Sequence, residues 1–151
     1  MTNISKFLIG LVLISVIGMS CSQQADYKVQ RDKVIELHDE VMADQGRIVA
    51  NQMKLDTMLN SLSKLKVSHP KVDTLVEKDS IRLLIDRLTK SEERMNQWMH
   101  EFEPDITGKS NEEAIKYFLN EQLKIKEVDR SYKEELKLSD AYLSKFQDEK
   151  S

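Results

Sequence analysis

The side chains best suited to coordination chemistry sit in one short stretch, Met95-Asn96-Gln97-Trp98-Met99-His100-Glu101-Phe102. Thioether and imidazole donors favour soft ions such as Cu(I). Met95, Met99 and His100 are therefore the first candidates for a metal or small-ligand site, with Trp98 at its centre. An antiparallel helical hairpin would set His38 and Met42 opposite them. A Met, Trp and Phe stripe at helical spacing also fits an ordinary core, and no Met motif repeats. Catalytic groups are harder to assemble. His38, His69 and His100 are scattered, with no nucleophile or glycine-rich phosphate loop nearby. Glu36, Asp39 and Glu40 around His38 fit a solvated helix face. The Glu-x-x-His pattern of helical di-metal sites fails, because Gln97 stands three before His100. The expectation is a non-enzymatic protein with no cofactor.

Elements able to hold such a stretch follow from the spacing of apolar residues. Val34, Val41, Ile48, Leu55 and Leu62 recur every seven residues, with Leu37, Met58 and Leu65 at the second seam position. A break over 67–73 contains Pro70. Ile81, Leu84, Leu88, Ser91, Met95, Trp98 and Phe102 then alternate spacings of three and four up to Pro104. Ser110 and Glu113 form a capping-box pattern. It opens a third segment through Phe118, Gln122, Ile125, Asp129, Tyr132, Leu136, Ser139, Leu143 and Phe146. This pattern predicts an all-α fold, an antiparallel three-helix bundle of coiled-coil character, over 26–151. Its helices cover about 27–65, 80–103 and 110–147. The seams are not wholly apolar: Asp44 and Asn51 fall on the first, beside His38, Gln45 and Gln52, and Gln122, Asp129 and Ser139 interrupt the third. Such positions either tolerate partial exposure or form a polar core layer. Gly46 inside the first helix costs about 1 kcal/mol against alanine, and marks a bend or a close approach.

The amino terminus sets the compartment. A short positive start ending at Lys6 precedes 13 uncharged residues, 7–19, and then Gly18, Met19 and Ser20 lead into Cys21. This is the order of an export signal. As a helix the run spans about 20 Å, short of the roughly 30 Å hydrocarbon core of a bilayer. Cys21 is the one cysteine of the chain, so no intramolecular disulfide forms. Its position resembles the lipobox of bacterial lipoproteins, with Gly18 where Leu is preferred. That resemblance implies a signal peptide over 1–20, lipidation (palmitate) of Cys21, and an anchor and tether over 21–25. Ordinary cleavage near Ser20, leaving a free thiol, is the alternative. The expected location is the cell envelope, lipid-anchored at the outer membrane on its periplasmic or surface side.

Removing Lys6 with the signal leaves 22 basic and 26 acidic residues, a net charge near −4. That sign excludes the basic clusters that nucleic acid requires, and it leaves acyl chains as the means of membrane attachment. The expected partners are the membrane itself, through the lipid, and an envelope protein or a second copy of the chain.

Three short patterns resemble a known family: His38-Asp39-Glu40-Val41-Met42 followed by Gly46, Trp98-Met99-x-x-Phe102, and Gln122-x-Lys124-Ile125. Together they are similar to small lipoproteins of Gram-negative bacteria, some labelled "viral A-type inclusion protein". The resemblance implies a helical envelope lipoprotein and carries no catalytic or ligand residues. Asp56-Thr57-Met58, Asp73-Thr74-Leu75 and Asp79-Ser80-Ile81 further resemble the Asp-Ser/Thr-aliphatic acceptor of envelope O-glycosylation. Thr74, expected in a loop, is the candidate among them.

Overall fold

Asp26 turns the chain into its first helix, its carboxylate accepting the Lys28 amide at 2.9 Å and so satisfying one of the free donors of the first turn. The computed structural model describes residues 26–147, so the signal peptide, Cys21 and the tether expected from the sequence lie outside the described residues. Four helices follow: α1 (Tyr27–Leu59), α2 (Leu62–Ser68), α3 (Thr74–Glu101) and α4 (Asn111–Ser144). The described residues are thus all-helical apart from their connections, and no helix among them is long and apolar enough to cross a membrane.

Two of these elements correct the sequence expectation. The first helix does not run to 65. It stops at Leu59, and α2 is a separate single piece. The cause is local polar competition for the last turn. The hydroxyls of Thr57 and Ser61 donate to the carbonyls four residues back, at 2.8 and 2.6 Å, and the Asn60 amide reaches Asp56 at 3.1 Å. The second long helix starts at Thr74, not near 80, because Asp73 caps it by accepting the Leu75 and Val76 amides at 2.9 and 3.4 Å. Thr74 is accordingly the first residue of α3 and half-buried, not a loop residue. The last helix ends at Ser144, short of 147.

The capping box at the start of α4 is present. The Ser110 hydroxyl takes the Glu113 amide at 3.3 Å, and the Glu113 carboxylate takes the Ser110 amide at 2.8 Å. Gly108 just before it has φ 87°, a left-handed conformation that glycine adopts without a Cβ penalty.

Hydrogen bonds between helices fix their directions. Tyr27 N donates to Asn111 Oδ1 at 3.1 Å, and Asn51 Nδ2 to Ser139 Oγ at 2.9 Å, so α1 and α4 run parallel. Gln52 reaches Glu92 at 2.6 Å, and Tyr142 reaches Glu77 at 2.5 Å, so α3 runs back between them. The core is the heptad set itself. Val34, Val41, Ile48 and Leu55 of α1, Ile81 and Leu88 of α3, and Phe118 and Ile125 of α4 are all fully buried. Burial of each such side chain is worth about 1.5–3 kcal/mol. Leu65 of α2 is buried at the end of the bundle far from Asp26.

A polar layer crosses the middle of this core. Asn51 (3% exposed) donates to Ser139, which is fully buried, and to Asp140 at 2.7 Å. Ser91 and Ser131 meet at 3.2 Å, Arg94 joins Ser131 at 2.9 Å, and Gln45 and Gln52 both donate to Glu92. The Tyr132 hydroxyl closes the chain on Gln45. Buried polar groups that are paired in this way cost little. They also penalise any slip of one helix past another, since a slip would break several bonds at once.

Candidate functional site

Three concave features are candidates. The first surrounds Trp98, near the Asp26 end of the bundle. The indole is 5% exposed, and a buried indole N–H requires an acceptor. Glu121 of α4 supplies it at 3.0 Å, while its other oxygen takes the Lys124 ammonium at 2.8 Å. That bond holds Lys124 above the usual lysine range. Around the indole an aromatic stack extends through Phe102 at 5.0 Å to Tyr117 at 6.5 Å, with the His38 ring 6.0 Å away on the other side. Burial raises the Tyr117 phenol, whose oxygen accepts the Glu103 amide at 2.8 Å.

Of the six residues expected to form a ligand site, three come together. His38, Trp98 and Met99 line a cleft of about 290 Å³, with Val34, Ile35 and Phe102. Met95 is 1% exposed and belongs to the core. Met42 and His100 are exposed residues outside the cleft lining. Within the cleft the His38 Nδ1 is already bonded to Asp39 at 2.9 Å, and Trp98 Nε1 to Glu121. Among the described residues there is no group of three or more His, Cys, Asp or Glu side chains able to hold a metal ion.

Glu121 was not visible as a functional residue in the sequence, where it resembles any charged surface position of α4. Replacing it with alanine is expected to cost about 1–3 kcal/mol, the desolvation penalty of an indole N–H left without a partner. Urea unfolding followed by Trp98 fluorescence measures this. A loss below roughly 0.5 kcal/mol, the scale of an ordinary surface substitution, would mean that the bond is dispensable.

No family model, curated protein or solved structure matches the chain.

The second feature is a flank of α1 that the other described helices leave partly uncovered, beginning at Ile35 on the edge of the first cleft. Ile35, Met42 and Val49 are 45, 38 and 39% exposed and recur every seven residues. Gly46 lies among them, and a Cβ added there would meet nothing within 4 Å. A close approach of another described helix is thereby excluded as the reason for the glycine. The third feature is an open apolar groove of about 620 Å³ at the far end, between α1, α2 and α4.

Proposed function

We propose that the protein is a lipid-anchored component of the bacterial cell envelope that acts without catalysis, by docking a partner protein along the exposed flank of α1. The observation that carries this reading is Gly46 within the stripe of Ile35, Met42 and Val49. Glycine in a helix interior costs about 1 kcal/mol against alanine, and no contact among the described residues offsets that cost. A seven-residue apolar repeat is the pattern that receives a second helix in coiled-coil fashion, and a missing Cβ lets its backbone come close. The coiled-coil character proposed for the bundle would then extend to its complex. An acylated Cys21, separated from Asp26 by the four residues 22–25, would hold this surface beside a membrane, in keeping with the resemblance to small Gram-negative lipoproteins.

Photo-cross-linking in intact membranes tests it. A photoreactive residue at Val49 is expected to give one discrete adduct, and the same probe at Lys137, on the exposed side of α4, none. Gly46→Leu should abolish the adduct by blocking the approach, while leaving the isolated bundle as stable or more so, since leucine is the better helix former. Equal adducts at both positions, or an adduct indifferent to Gly46→Leu, would overturn the reading.

A further inference from the structure

The groove at the far end follows on from the flank of α1, its α1 wall beginning at Ala50 and Met53 just beyond Val49, and it is built from several elements. Its floor is apolar, formed by Met58 of α1, Leu65 of α2, Leu143 of α4 and Phe146 just after α4. α2 is held in place as one wall: the His69 ring at its end meets Phe146 edge-on at 5.3 Å. The connection after α2 is pinned by the Lys66 ammonium, which donates to the Pro70 and Val72 carbonyls at 2.9 and 2.7 Å. A volume of about 620 Å³ falls in the range of small-molecule sites, roughly 300–1,000 Å³, which are mostly apolar with a few polar groups.

The charge of the lining is one-sided. The chain carries more acid than base, yet among the described residues no Asp or Glu lines this groove, and Lys54 is the one Lys or Arg among them that does. On α1 and α4, Lys33, Lys124 and Lys133 are tied to the carboxylates of Glu36, Glu121 and Asp129. Lys54 makes no hydrogen bond or ion pair among the described residues. An apolar trough with a single free ammonium at its wall complements a molecule with an apolar body and one anionic end.

We propose that this groove holds a single-chain anionic amphiphile, a free long-chain fatty acid, with its carboxylate at Lys54. The alkyl chain gains by leaving water for the Leu65, Leu143 and Phe146 surface. The carboxylate gains a charge-assisted hydrogen bond.

The test uses the full chain in phosphatidylcholine vesicles and a palmitate analogue carrying a diazirine on its alkyl chain. Photolysis is expected to label the peptides spanning 53–58 and 143–147, and excess unlabelled palmitate should compete. Lys54→Glu should cut labelling about tenfold, and Lys54→Arg should keep it. Lys54 is an exposed helix residue, so neither change disturbs the core. The alcohol analogue of equal length should label about tenfold less than the acid. Label spread evenly over the helices, labelling unaffected by Lys54→Glu, or equal labelling by acid and alcohol would each overturn the proposal.

Discussion

Raising the pH from 10 to 12 is expected to strip about 2 kcal/mol from the folded state through Tyr132 alone. The side chain is fully buried in the polar layer. Burial withdraws the water that would solvate a phenolate, and the charge of Glu92 adds to the effect, so the folded pKa rises from 10.0 to about 12. In the unfolded chain the same phenol ionises near 10. Between the two values the native state binds more protons than the unfolded state, and stability falls as pH rises. The contribution is present below pH 10 and is lost as the pH rises through about 12. Tyr142 shifts in the same direction, chiefly through burial and then through its hydrogen bond to Glu77. Against a total stability of roughly 5–15 kcal/mol, these losses are large. Tyr132→Phe separates them from the general titration of lysines. At pH 8 the variant loses the bond to Gln45 and should be about 1 kcal/mol less stable than the wild type. At pH 12 it has no phenol to ionise and should be the more stable of the two. Urea midpoints at both pH values check this, and stability curves that stay parallel would refute it.

Cys21→Ser is expected to leave the protein as an unprocessed precursor and to remove its fatty acylation entirely. The physical ground is that the described residues offer no substitute anchor. None of their helices is long and apolar enough to cross a bilayer, and the chain carries net negative charge, which disfavours adhesion to anionic lipid. Metabolic labelling with an alkyne fatty acid should mark the wild type and not the variant. Wild-type protein found wholly in the soluble fraction, unlabelled and beginning at Ser22 or later, would overturn the lipid anchor. The helical architecture would be untouched by that result, because it rests on the separate periodicity after Asp26.

The seams of the long helices were legible because apolar spacing reports directly which face is buried. Val34, Val41, Ile48 and Leu55 are buried at the positions their seven-residue repeat marks. The same logic hid the break at Asn60. Leu62 and Leu65 stay in phase with Leu55 and Met58, and phase is blind to whether the backbone bonds beneath it are continuous. The start of α3 was missed for the opposite reason. Leu75 and Val76 are 72 and 58% exposed, so the first turns carry no inward pattern, and only the cap at Asp73 announces them. The ligand candidates were grouped by chemistry along the sequence. Helix geometry separates them by angle, sending Met95 inward and leaving His100 exposed. Glu121 and Glu135 were illegible because a carboxylate is read as solvated until its partner is known. Here those partners, Trp98 and Arg87, come from a different helix.

The parallel pairing of α1 with α4 also dictates an order of assembly. These two helices share the most extensive packing in the molecule, yet bonds such as Asn51 to Ser139 join residues 88 positions apart. Closing so long a loop is entropically costly and goes unrewarded until both helices are available. A chain emerging from its amino end can therefore pair α1 only with α3, the lesser of its two long partners, until α4 has been made. Placing the principal seam between α1 and α4, the first and last of the described helices, thus couples full packing of the core to the synthesis of α4.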